Sequence, residues 1–95
     1  MKVIIKKSTK SGKKLMAVFT DTGKKSKTIH FGSAGMDDYT KTKDKDQRKR
    51  YLDRHRKNEN WSDPQTAGAL SRWILWGDST SLRTNIRTFK NKFDL

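Results

Sequence analysis

Between residues 1 and 35 the apolar residues come only in short runs, none long enough to make a helix. Val3-Ile4-Ile5 is a β-branched triplet, Leu15-Met16-Ala17-Val18-Phe19 a run of five, and Thr28-Ile29-His30-Phe31 stops at Gly32. Ser11-Gly12 separates the first pair and Asp21-Thr22-Gly23 the second. Short apolar runs set between glycine-containing turns predict an antiparallel meander. Period-two alternation places Leu15, Ala17 and Phe19 on one face, with Ile29 and Phe31 as their partners across the sheet. Gly32-Ser33-Ala34-Gly35 then ends the sheet.

The pattern changes period after residue 43. Asp44 and Gln47 have the spacing of a capping box, which predicts a helix over 44–58. Arg48, Tyr51, Leu52 and His55 form its semi-polar inner stripe, and Arg50, Arg54 and Lys57 lie on another face. A second helix starts in Ser62-Asp63-Pro64-Gln65, capped by Ser62 or Thr66, with Pro64 tolerated in the first turn. It carries Leu70, Trp73 and Ile74, widened by Leu75 and Trp76, and Gly77 is its stop. This is the most apolar piece of the chain, so it reads as the core helix, with Trp73 inside it. Ser79 or Thr80 caps a last helix with an apolar stripe of Leu82, Ile86, Phe89 and Phe93. The expected fold is α+β: an N-terminal three-stranded antiparallel meander followed by three helices packed on one face. Residues 1–95 form a single domain, strand-rich and Lys-rich over 1–35 and helical over 36–95.

Composition sets the partner class. Charged residues, at 35%, outnumber hydrophobic ones, at 31%, a balance that leans towards disorder. Three Trp, four Phe and two Tyr oppose it, because each buries a large area. The net charge of +13 repels itself in a compact chain and suits a polyanion: DNA, RNA, an anionic membrane surface or an acidic protein. No run approaches the ~20 apolar residues of a membrane span. MKVIIKK is too short an apolar core for a secretory signal, and there is no Cys, hence no disulfide framework or thiolate metal site. These features fit a cytosolic, nuclear or virion-interior protein better than a secreted one.

The charge is also uneven. Residues 1–35 hold nine Lys, one Asp and no Arg; residues 36–60 hold nine basic and six acidic side chains. Lys is a flexible point charge, whereas the Arg fork pairs bidentately with phosphate. Lys6, Lys7, Lys10, Lys13, Lys14, Lys24, Lys25 and Lys27 gather at strand ends and turns, with the two turns at opposite ends of the sheet. Lys on strand edges blocks sheet aggregation, but so many with hardly an acid between them exceed that need and read as phosphate contacts. On the 44–58 helix, Arg48, Arg50, Arg54 and Arg56 are the candidates. Asp46 pairs with Arg50 and Asp53 with Lys57 at i, i+4, so part of this helix is a self-neutralised solvated face. Its start, Asp-Lys-Asp-Gln, repels phosphate, which argues for backbone contact and against base reading. Arg83, Arg87 and Lys90 add a cationic side to the last helix. Trp61 or Trp76, if partly exposed, marks a partner surface.

Catalytic chemistry finds little support. Gly12-Lys13-Lys14 lacks the rest of a P-loop, and Gly32-Ser33-Ala34-Gly35 misses dinucleotide spacing. His30 and His55 are far apart, and their spacing calls for no metal. Asp37-Asp38 reads as a solvated turn and His55 as a semi-buried packing residue. No Ser sits in a nucleophile elbow, and most acids are interleaved with cations that keep them ionised. The expectation is no enzyme, with no catalytic residues, no metal and no cofactor.

Over residues 35–86 a longer string stands out. Gly35-Met36-Asp37-Asp38-Tyr39-Thr40, Lys43-Asp44, Arg48-Lys49-Arg50-Tyr51, Arg54-His55, Asn58-Glu59-Asn60-Trp61, Thr66-Ala67-Gly68, Ser71-Arg72-Trp73 and Leu75-Trp76 follow in order. It resembles a family of small basic uncharacterised proteins encoded by large double-stranded DNA viruses of algae and protists. The resemblance covers the C-terminal two thirds, after a variable strand-rich start. It implies viral origin and a place in the particle, and brings no catalytic residues. Thr66-Ala67-Gly68 to Trp76 looks like a packing signature, small residues admitting a neighbour and the Trp pair filling the space beyond. The first functional expectation is a non-enzymatic protein that binds nucleic acid through phosphates with little sequence specificity. The alternative is a minor capsid or scaffold protein meeting acidic capsid subunits through an apolar patch at Trp76, Phe93 or Leu95. A third, a host-factor decoy or nuclease-like protein, needs a metal near Asp37, Asp38 and a His.

Overall fold

A computed structural model describes residues 1–22 and 24–95, apart from the side chains of Lys25 and Ser26. Gly23 of the expected second turn and the side chain of Lys25 therefore lie outside the described residues. Three strands, β1 (Lys2–Lys7), β2 (Lys13–Asp21) and β3 (Lys24–Ser33), pair antiparallel in the order β1-β2-β3. Leu15 sits opposite Phe31 and Ala17 opposite Ile29, the register that alternation predicted. Val3 faces Phe19 across β1 and β2. Val3, Ala17, Phe19 and Phe31 are buried on the face the helices cover. Ile4, opposite Val18, points the other way and is 56% exposed.

The helices are α1 (Tyr39–Thr42), α2 (Lys45–His55), α3 (Ala67–Leu70), which runs straight into a π-helical turn (Ser71–Leu75), and α4 (Leu82–Lys92). The fold is α+β, a meander with helices packed on one face, as expected. Phe19, Phe31, Leu70, Ile74 and Phe89 are its largest fully buried side chains, each contributing about 1.5–3 kcal/mol of apolar transfer. No helix among the described residues is long and apolar enough to cross a membrane.

Several local expectations are corrected. Of Asp37-Asp38, expected as a solvated turn, Asp37 is exposed but Asp38 is buried and caps α1, accepting the Thr40 N–H at 2.9 Å and the Thr40 hydroxyl. Asp44 caps α2 by accepting from Asp46 and Gln47 N–H groups. The reciprocal half of the box runs through Thr42, whose hydroxyl accepts the Asp44 N–H and bonds Gln47 Oε1. The helix ends at His55, three residues early. Lys57 thus lies beyond it, and Asp53 pairs back one turn with Lys49 at 3.0 Å. Among the described residues no ion pair joins Asp46 to Arg50. Thr66 caps α3, and Pro64 precedes it. Ser81 caps α4, in place of Ser79 or Thr80. Buried Asn85 holds Ser79 in the preceding loop, accepting its N–H and donating to its carbonyl.

The tryptophans exchange roles. Trp76 is buried and Trp73 only partly so. The π-helical turn carries i→i+5 bonds, ending in Trp76 N–H to Ser71 carbonyl at 2.9 Å. A wider turn lags the α-helical rotation, bringing Leu75 and Trp76 round to the core and leaving Trp73 at its rim. Gly68, in the expected packing signature, admits Glu59: a Cβ there would lie 2.9 Å from Glu59 Cδ.

Candidate nucleic-acid interface

A meander puts its two hairpins at opposite ends. Lys7, Lys10, Lys13 and Lys14 therefore share one end, with Lys6 near it, and Lys24, Lys25 and Lys27 share the other. The candidate lysines are not one patch. They also differ in what they touch. Lys14 is committed to Asp38 at 2.6 Å, and Lys27 donates to the Gln65 carbonyl at 3.4 Å. Lys13 has no ion pair among the described residues.

The arginines of α2 divide in the same way. Arg48 is an internal strut: its Nε donates to the Trp76 and Gly77 carbonyls at 3.1 and 2.9 Å, and its other end pairs with Asp78 at 2.7 Å. Its side chain is 22% exposed and also lies over the Tyr39 ring. Arg50 and Arg54 are exposed and unpaired among the described residues. Arg56, at the C-cap, is exposed.

Arg54 and Lys13 line the same cleft, a cavity of about 420 Å³ between the first-hairpin end of the sheet, α2 and α3. A second hollow of about 340 Å³ shares Met36, Asp37, Tyr51, Arg54 and Trp76 with it and adds Arg50 and Gln47. The groove thus runs from the hairpin along α2. Its floor is apolar, with Phe31, Leu75 and Trp76. One wall is a ring column: Trp76 stacks on Tyr51 at 4.3 Å and nearly parallel, and Tyr51 stacks on His55 at 4.2 Å. Tyr51's phenol is held well above the usual tyrosine range, first by burial and then by the Glu59 carboxylate. Glu59 anchors the far wall, accepting from Trp61 Nε1 at 2.9 Å and bonding His55 Nδ1 at 2.9 Å. A carboxylate only accepts, so Nδ1 carries the proton. The acids at the rim are engaged: Asp38 by Lys14, and Asp37 by Lys41 at 3.8 Å.

The other candidates stand apart from this groove. Arg83 and Arg87 are exposed and Lys90 half-buried on α4, and none of them, nor Lys24 or Lys27, lines it. Trp73 is bracketed by Arg72 at 4.2 Å and Lys92 at 4.5 Å, and Arg72 also lies over Trp61. Burial, then the neighbouring Arg48, lowers the Arg72 pKa. Trp76 offers no exposed patch. The large exposed apolar side chains are Met1, Ile4 and Met36. No group of three metal-binding side chains converges among the described residues. Ser8 Oγ lies 2.7 Å from His30 Nδ1, but it also accepts the Lys10 N–H, which makes the contact a turn brace. Glu59, Met36 and Gly68 were missing from the sequence-derived site. Glu59 stands at i+4 from His55, a spacing that signals a side-chain pair.

The groove's walls meet the family comparison at one point. The model of a family of unknown function, DUF5754, matches residues 3–55, more than half of the 95-residue chain. The chain belongs to DUF5754. The DUF5754 match takes in the sheet, α1 and α2, and so includes Lys13, Arg50, Arg54 and His55. It overlaps the string at 35–86 only over 35–55. The π-helical turn and Glu59, which complete the cleft, lie outside it. No curated protein and no solved structure matches the chain.

Proposed function

We propose that this protein is a non-enzymatic nucleic-acid binder that grips the phosphate backbone with little sequence specificity, inside the particle of a large double-stranded DNA virus. The observation that carries this reading is the groove itself. Among the described residues Lys13, Arg50 and Arg54 line it without ion-pair partners, while Asp37 and Asp38 beside them are paired with Lys41 and Lys14. Unpaired cations along one groove are what a phosphate chain neutralises. α2 opens on Asp44 and Asp46, so its N-terminal end repels a base edge's neighbouring phosphates and supports backbone contact over base reading. The place in the particle rests on the resemblance over residues 35–86.

One observation favours the capsid reading: Ile4 stands exposed on the uncovered sheet face, with Lys2 and Lys6 on the same side by alternation. A single experiment separates the two. Fluorescence anisotropy of labelled duplex and single-stranded oligonucleotides is followed across a salt series for the wild type and for Lys13→Gln, Arg50→Gln and Arg54→Gln. Each lost phosphate contact should flatten the log–log salt slope by about 0.9 on duplex DNA, or about 0.7 on a single strand. Slopes that ignore all three substitutions reject the groove, and absence of binding near physiological salt moves the function to protein partners.

A further inference from the structure

We propose that the cleft receives one unpaired base of a single-stranded nucleic acid, stacked on the His55 end of the Trp76–Tyr51–His55 column. This rests on the phosphate-binding reading above and deepens it from backbone contact to strand preference.

The column ends on one side in a buried ring and on the other in a partly exposed one. Tyr51 has both ring faces occupied, by His55 at 4.2 Å and Trp76 at 4.3 Å. Trp76 is buried. His55 terminates the stack, is 35% exposed and lines the cleft. A fourth ring placed on His55 would continue a stack already three rings deep. Histidine is among the side chains on which splayed bases stack. Its ring is also fixed in place, because Nδ1 is tied to Glu59, which is tied in turn to Trp61. That leaves Nε2 free to meet a polar base edge.

The dimensions and chemistry of the cleft agree. About 420 Å³ falls in the roughly 300–1,000 Å³ range of small-ligand sites. It suits a nucleotide and excludes a duplex, whose bases stay stacked and paired. Met36 and Trp76 supply apolar lining for a ring, Ser33 and Ser71 add hydroxyls, and Lys13 and Arg54 supply cations for the flanking phosphates. A phosphate clamp alone needs no apolar floor.

The test compares a short single strand, the same strand with an abasic position, and its duplex, against wild type, His55→Leu and His55→Phe. The expected result is single-strand binding at least about fivefold tighter than duplex binding, the low end of a stacked base's contribution. Scanning the abasic position should lower affinity at one register. His55→Leu should remove the preference, and His55→Phe should restore it. Equal affinity for strand and duplex, with no effect of the abasic position on the wild type, overturns the inference but leaves the phosphate reading intact. Failure of the wild type to bind any of the three overturns both. The wild-type abasic comparison decides the matter even if His55→Leu fails to fold.

Discussion

Lys14 Nζ donates to Asp38 Oδ2 at 2.6 Å, joining the start of β2 to the cap of α1 across 24 residues of sequence. The Asp38 side chain is only 6% exposed, and its other oxygen accepts from Thr40. One carboxylate therefore fixes the sheet's hairpin end to the first helical turn. It also engages Lys14, which is why Lys13 is the cation left open at the cleft. Asp38→Ala removes the ion pair and the cap together and strands Lys14, so it should cost about 2–3 kcal/mol. Asp38→Asn keeps a carbonyl oxygen for the Thr40 N–H and should cost less. Urea denaturation measures both, and a midpoint for Asp38→Ala equal to the wild type would show that the pair does not tie the elements together.

Two glycines differ in what a methyl group would meet. A Cβ on Gly77 would press on the Trp73 carbonyl oxygen and lie 2.7 Å from Asn85 Oδ1. Neither can move without breaking the exit of the π-helical turn, where Asn85 also donates to the Ile74 carbonyl. Gly12, at φ +86, has nothing within 4 Å, so alanine there costs only the left-handed backbone penalty of about 1–2 kcal/mol. Gly77→Ala should therefore lower the thermal midpoint more than Gly12→Ala. At about 4–8 °C per kcal/mol for a domain of this size, a melting curve resolves the order.

The parts legible in the sequence are those set by local periodicity. The inward face of Leu15 and Ala17, the Asp44 cap and the inward stripe of Ile86 and Phe89 each follow from spacing within a few residues. What was not legible depends on partners distant in the chain. Arg48 reads both as an inner-stripe residue and as a phosphate contact, and what decides between them is the carbonyls of Trp76 and Gly77, 28 and 29 residues on. Trp73 and Trp76 trade places because a π-helical turn leaves no mark in the apolar spacing. Asn85 sits on the inward side of α4 as a polar residue, and only the loop it braces explains it. The groove unites Lys13 with Arg54, which no pattern of either segment anticipates.

Tyr51 makes stability depend on alkaline pH. Its phenol is buried and faces Glu59, so its pKa in the fold lies above the unfolded value, about 10. Above that pH the unfolded chain has lost the proton and the folded one keeps it. Stability is then full below about pH 10 and falls as pH rises further, because the folded state binds more protons. Urea midpoints measured from about pH 8 to 11 should decline for the wild type, and the decline should be shallower in Tyr51→Phe. Parallel declines would show that Tyr51 ionises in the fold as readily as in the unfolded chain.

Arg48 and Arg54 lie six positions apart on α2, yet the structure gives them opposite duties. Arg48 makes hydrogen bonds to two carbonyls and an ion pair to Asp78, holding α2 to the loop after the π-helical turn. Arg54 makes none among the described residues and lines the groove. Arg48→Gln should therefore cost about 2–3 kcal/mol of stability, since charged donors are lost from two acceptors that stay partly buried. Its effect on the salt slope of nucleic-acid binding should be slight. Arg54→Gln should behave inversely, staying within about 0.5 kcal/mol in stability and flattening the salt slope by about 0.7–0.9. Urea denaturation and the anisotropy salt series, run on the same two variants, give four numbers with a crossed pattern. A stability loss in Arg54→Gln with an unchanged slope would place Arg54 among the structural residues and remove α2 from the groove's binding wall.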